Sequence, residues 1–238
     1  MVTAREFQSA SCQATLFTPD AEVSAGQLVT RLLPQWIGRF DAEPTVLPSA
    51  EGLPKDLPRV ILEARSGEWR CEIASTRINI VWRRPATEQS PPSLTDLYED
   101  LARLLLEYKR FLDSRVARLA AVINRFLPHD APARFLATHF CREEWLIAPF
   151  NRPESFELHA HKTYALTSQL SVNSWVRNKT GTLTTNARPI ILVEQDINTL
   201  KEEASNREFS EEEIEQFFHS VVPGFDETLA LYYPGQPA

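Results

Sequence analysis

Glu157, His159 and His161 are the first residues in this chain whose type and spacing suggest chemistry. On a strand, a period of two puts all three side chains on one face. Two imidazoles beside a carboxylate suit zinc or iron. A metal site also needs a full ligand set, and His129, His139 and His219 are scattered without ligand spacing. The simpler reading is a solvated strand face, with Phe156, Leu158 and Ala160 turned inward. That reading is adopted, and Glu157, His159 and His161 stand as the metal candidates.

Two more groups come from the ends of apolar runs. Glu194 and Asp196 share a face of the strand that begins near Arg188, so the pair could do acid–base work or hold a divalent cation. They could equally be a strand end reaching solvent, or pair with Arg118 or Arg125. Asn124-Arg125 closes another apolar run. An arginine there could clamp a phosphate or carboxylate bidentately, or pair structurally with Glu194 or Asp196 across a sheet. Asn124, Arg125, Glu194 and Asp196 are therefore taken together as ligand-binding candidates.

No catalytic set is complete. There is no G-x-S-x-G elbow, and the seven glycines form no phosphate loop or dinucleotide fingerprint. Cys141 follows His139 too closely on a helical pattern for the two to face each other. Cys12, Cys71 and Cys141 lie far apart without a C-x-x-C, which is neither a disulfide framework nor a thiolate zinc site and suits a reducing cytosol. A net charge of −7 and a pI near 5.4 disfavour a nucleic-acid ligand, whose phosphates must be neutralised. Arginines 65, 70, 77, 83 and 84 leave room for a local basic patch, but Trp69 and Trp82 fall on the apolar side of their strands, as core rather than stacking residues. No apolar signal region or run of membrane-spanning length is present. A cytoplasmic protein without a membrane partner and without a cofactor is expected.

The elements that must position these residues follow from periodicity. Val116–Leu127 is apolar on both alternating faces, which predicts a central strand covered on both sides. Ser9–Thr18 alternates as a strand. Ser24-x-x-Gln27 caps a helix that Pro34 should kink or split. Residues 41–58, with four prolines, predict an irregular loop. Arg59–Arg65, Glu68–Ala74 and Arg77–Arg83, joined by short turns, predict an antiparallel meander. Ser93-x-x-Asp96 opens a helix with a leucine stripe.

After Asp113 the order repeats. The central strand is followed by a short helix capped by Asp130, an irregular link over 143–153, and three strands (Ser155–Leu166, Leu170–Lys179, Arg188–Ile197). A helix behind the capping box Ser210-x-x-Glu213 follows, with Pro223-Gly224 expected to interrupt it. The expected fold is α+β: a strand–helix–three-strand–helix unit duplicated over 1–112 and 113–238, building a mainly antiparallel sheet with helices on one face.

The run Ile123-Asn124-Arg125-Phe126, the strand Ile190-Ile-Leu-Val-Glu-Gln-Asp196 and the closing helix Ile214–Leu231 resemble a sporadically distributed bacterial family of unknown function. The likeness spans residues 113–235. The family's Asp-x-Asp is Glu194-Gln195-Asp196 here, and Ala121-Val122 replaces an Arg-Tyr. The resemblance implies a bacterial cytosolic protein of mobile or defence-linked systems and supplies no catalytic residues. Function is therefore expected to be non-enzymatic: a protein-interaction subunit, of phage-defence or toxin–antitoxin type, binding itself or another chain. The alternative is a small-ligand or metal module, or an enzyme, built on the candidates above.

Overall fold

Strand alternation sorts the molecule into two faces. In the computed structural model, which describes residues 2–19, 21–48, 53–85, 91–148, 150–168 and 170–235, β1 (Gln8–Phe17) pairs antiparallel with β5 (Arg77–Arg83) and with β6 (Arg118–Pro128). Ala14 lies opposite Ile80 on one side and Ala121 on the other. Those three residues, with Cys12, Leu16, Ile78, Trp82, Leu119 and Ile123, are fully buried on one face. Side chains one position along point the other way, because the period is two.

The meander is present as β3 (Val60–Glu63), β4 (Trp69–Ile73) and β5. Its counterpart in the second half is β7 (Glu157–Thr167), β8 (Leu170–Thr182) and β9 (Pro189–Thr199). With β2 (Thr45–Val46) these make one nine-stranded sheet, in the order β2-β3-β4-β5-β1-β6-β9-β8-β7. The β1–β6 pairing thus joins both halves into a single sheet. From that junction outward, the first half runs β1-β5-β4-β3 and the second β6-β9-β8-β7.

Helices α3 (Leu94–Leu112), α4 (Pro132–Phe140) and α6 (Glu211–Tyr232) bury their apolar stripes against the face of Ala14 and Ala121. Tyr98 of α3 stacks on Phe218 of α6, and its hydroxyl donates to the Val122 carbonyl at 2.8 Å, tying the helix layer to the central strand. The caps form as the sequence predicts for Ser24, Ser93 and the Ser210/Glu213 box. Among the described residues, no helix is long and apolar enough to cross a membrane.

Several expectations need correction. β6 is central, but helices cover only one of its faces; the other carries Arg118, Val122 and Asn124, only partly buried. Alanine at 120 and 121 hid the difference, because a small side chain fits either environment. Pro223 does not interrupt α6. A helical proline costs about 3 kcal/mol, but Ile214, Phe217, Phe218, Val221, Phe225 and Leu229 form one buried stripe across it, and that burial outweighs the cost.

Asp130 does not cap α4; the N-cap is Ala131, whose N–H is taken by His129 Nδ1 at 3.1 Å. Residues 143–153 contain α5 (Glu143–Ile147), and the 41–58 segment contains β2. Around Pro34 the helix is irregular: α1 (Ala25–Gln27) passes through a π turn over Leu28–Leu32 into α2 (Leu33–Trp36), with the proline in the first turn of α2, where a missing N–H is tolerated. Within the 41–58 loop, residues 49–52 lie outside the described residues, as do residues 86–90 between β5 and α3.

Candidate functional site

The helix-free face of the sheet carries most of the candidates, in register. Cross-strand neighbours on this face form rows. Phe17 of β1 lies between Arg77 of β5 and Arg118 of β6. Two residues along, Thr15 lies between Asn79 and Ala120, and Ala120 is paired with Asn198 of β9. In the next row Gln13 faces Val122, which is paired with Asp196. Neighbouring strands stand about 4.8 Å apart and alternate residues about 7 Å apart, so these side chains surround one shallow groove of about 290 Å³. Its floor is Thr15 and Ala120, 2% and 8% exposed. Ala120 makes the depression, because its neighbours in the grid are longer.

Two hydrogen-bond chains line the groove. Gln13 Nε2 donates to Thr15 Oγ1 at 3.1 Å, and that hydroxyl donates to Asn79 Oδ1 at 3.0 Å. On the other side Arg118 Nη2 donates to Asn198 Oδ1 at 3.2 Å, and Asn198 Nδ2 donates to Asp196 Oδ1 at 3.0 Å. The Arg118 guanidinium also lies 4.6 Å over the Phe17 ring. Among the described residues, Arg77 makes no side-chain hydrogen bond or ion pair, and no arginine or lysine forms an ion pair with Asp196.

The electrostatics agree with that geometry. Burial, helped by the like charge of Glu194, raises the Asp196 carboxyl above its ordinary range, against the hydrogen bond from Asn198 and the charges of Arg177 and Arg118. Burial also lowers the Arg118 guanidinium, against the charge of Asp196. Both charges are thus held without full compensation.

The flanks of the same face differ. Arg70 donates to Glu72 at 2.8 Å and also to Glu63, and the hydrogen bond to Glu72 raises its guanidinium. Glu194 accepts from Arg177 at 2.6 Å, with Lys179 at 3.9 Å. Within the first meander, Glu63, Arg70 and Glu72 are thus paired with one another.

The ligand-binding candidates do not form one group. Arg125 points to the helix side, opposite to Asn124, Glu194 and Asp196. It is 5% exposed, donates to Gln195 Oε1 at 3.0 Å and the Phe225 carbonyl at 3.3 Å, and pairs with Asp226 at the surface. The expected pair with Glu194 or Asp196 is replaced by this staple to α6. Alternation explains it: 125 is odd on a strand whose odd residues face the helices. Asn124 is paired in register with Glu194 and donates to Ser11 Oγ at 3.1 Å. Only Asp196 of the four lines the groove.

Glu157, His159 and His161 share the helix-free face of β7, at the sheet edge. His159 Nε2 donates to Glu157 at 2.6 Å, and that bond holds the carboxyl below its usual range. His161 instead stacks on Trp175, with centroids 4.1 Å apart, and contacts Asn173 Oδ1 at 3.1 Å. The three do not converge: among the described residues, no group of three or more His, Cys, Asp or Glu could hold a metal ion. Nor do the buried thiols offer a nucleophile, since burial pushes Cys12 up to about 12 and raises Cys71.

The groove residues Gln13, Thr15, Phe17, Asn79 and Asn198 were not singled out by sequence reasoning. They come from three strands, β1, β5 and β9, and only the strand register brings them together. Alternation around Thr15 and Asn79 places polar residues on the open face, but nothing local says that the two strands adjoin. Neither a family model nor a curated protein matches the chain.

Proposed function

We propose that this protein acts by binding rather than by turnover, and that its working surface is the helix-free face of the sheet. The observation that carries the reading is the contrast across that face: Arg70 with Glu63 and Glu72 on one flank, and Arg177 with Glu194 on the other, are ion-paired, whereas among the described residues Asp196, Arg118 and Arg77 at the centre form no ion pair. Uncompensated, half-buried charge costs stability, and a partner that completes the pairing offsets the cost only when it is bound. The candidates for chemistry are divided between two faces and two regions, which is a poor arrangement for a reaction centre.

The partner in this proposal is a protein chain, either a second copy or another subunit. A bacterial cytosolic system of phage-defence or toxin–antitoxin type belongs to the same proposal and is supported by the Ile123–Phe126 and Ile190–Asp196 motifs. We also infer that the two halves arose by duplication of a strand–helix–three-strand–helix unit. The support is the equal order β1-β5-β4-β3 and β6-β9-β8-β7 outward from the junction, with a helix after the first and last strand of each half. Superposing 9–112 on 113–235 tests that inference; helices on opposite sides of the matched strands would contradict it.

Light scattering at micromolar concentration, with cross-linking in the expressing cell, tests the binding reading. The expected result is a stable complex, either a homodimer burying roughly 1,600 Å² or a heteromer, that is weakened by Arg77→Glu. A strict monomer that cross-links to nothing would contradict it. Turnover of any substrate that is lost on Asp196→Ala, with the fold intact, would replace it by an enzyme.

A further inference from the structure

The central groove is chemically two-ended. Among the described residues, the free donors at one end are the Arg77 guanidinium and Arg118 Nη1, with Asn79 Nδ2 in the row beside them. At the other, the second Asp196 oxygen and Gln13 Oε1 are free acceptors among the described residues. The two hydrogen-bond chains fix this polarity. Thr15 takes the Gln13 amide proton and leaves its oxygen outward, while Asn79 spends its oxygen on Thr15 and leaves its amide outward. Arg118 is steadied by the Thr199 carbonyl at 3.3 Å and by Asn198, with Nη1 left over. Two rows of the grid separate the ends, about 13 Å at the backbone, and the long arginine side chains shorten that span.

We propose that this groove binds a dipolar group in which a carboxylate and an amine are separated by several bonds. The carboxylate sits against Arg77 and Arg118, with the amine on Asp196 and the Gln13 carbonyl. A single α-amino acid, whose charges are about one residue apart, spans too little of this length. The cavity of about 290 Å³ has room for a dipeptide-sized ligand. Arginine pairs with the planar carboxylate in a fixed fork, and an ammonium is the natural complement of a half-buried carboxylate that lacks a cation. The same chemistry has two sources: a free small molecule, or acidic and basic side chains on a partner chain. The inference deepens the binding reading and rests on it.

The test is an NMR titration of the full chain with 6-aminohexanoate, reading the side-chain amides of Asn79 and Gln13. Hexanoate and hexylamine serve as the single-charge controls. A fourth probe is a peptide with blocked termini, acetyl-Asp-Ala-Ala-Lys-amide. The expected result is saturable shifts with 6-aminohexanoate or the peptide, at least about tenfold weaker binding of both controls, and similar weakening in Arg77→Met and Asp196→Asn. Preference for 6-aminohexanoate assigns the site to a small molecule, and preference for the peptide assigns it to a partner segment; both sustain the dipolar assignment. Dispersed spectra of both variants show that the fold is kept. Absence of shifts with every probe, or equal binding of hexanoate or hexylamine, overturns the inference. If that happens while Arg77→Glu still breaks the protein complex, the ligand class is wrong and the binding reading stands.

Discussion

The centre and the flanks of the helix-free face use the same residue types to opposite effect. At the flank, Arg70 sits between Glu63 and Glu72, and its guanidinium is stabilised by them. At the centre, Arg118 and Asp196 occupy neighbouring strands, yet burial works against both charged forms. The difference is one of placement. The flank carboxylates lie on the rows or strands next to their arginine, within reach of a direct bond. At the centre, Asn198 stands between Arg118 and Asp196 and holds one with each end of its amide. A neutral spacer keeps the ions apart, so each remains available to something else. A protein optimised only for stability would place a second carboxylate or an apolar residue there.

This comparison can be broken or sharpened by substitution. The largest effect belongs to neither region but to the arginine on the other face. Arg125→Ala removes a buried guanidinium from Gln195, the Phe225 carbonyl and Asp226, and should destabilise by about 3 kcal/mol, since hydrogen bonds to charged groups carry the most weight. Urea denaturation reads this directly. A loss under 1 kcal/mol would mean that the staple between the sheet and α6 is not formed in solution.

At the flank, Arg70→Ala should cost about 1 kcal/mol or less, because its partners Glu63 and Glu72 are 45% and 28% exposed and screened ion pairs contribute little. The cost should shrink further in high salt. A loss as large as that of Arg125→Ala would show that exposure misjudges the flank.

The smallest effect is expected at the edge strand. Replacing both His159 and His161 by Ala should leave stability within about 0.5 kcal/mol, as for exposed positions. Stoichiometric zinc or iron in the purified protein, absent from the double variant, would restore the metal reading of Glu157, His159 and His161.

Much of the fold is legible in the sequence because its signals are local. The serine caps at 24, 93 and 210, period-two alternation over 59–83, and the leucine stripe of 94–112 each act within a few residues, and all appear in the structure. Where strong tertiary burial competes with a local signal, the local signal loses, as at Pro223. The candidate site is less legible. Asp196 could be picked out, since a carboxylate on an apolar strand draws attention. Arg118 could be named as a neighbour, but the rest of the surroundings of Asp196 could not, because Gln13, Thr15 and Asn79 meet it only through the register of β5, β1, β6 and β9. Arg125 shows the same limit from the other side. Counting alternate residues from the buried Ile123 places it on the helix face, but nothing in the strand itself says that Asp226, far along the chain, is waiting there.

Glu194 and Asp196 offer the most direct test of the central claim, because they are two residues apart on one strand face. Burial raises the Asp196 carboxyl above its unfolded value, so the folded protein holds that proton more tightly. The cost of the charge is therefore absent below the unfolded value of about 3.9 and fully present once the pH has risen past the folded value. Glu194, in contrast, is paired with Arg177. The decisive measurement is the unfolding free energy of wild type, Asp196→Asn and Glu194→Gln at pH 7, repeated as the pH is lowered toward 4. The account predicts opposite signs at pH 7: Asp196→Asn more stable than wild type, with the gain fading as the pH falls, and Glu194→Gln less stable by up to about 1 kcal/mol. If both variants are destabilised alike at pH 7, the charges at the centre are as well satisfied as those at the flank, and the groove loses its claim to be a binding site.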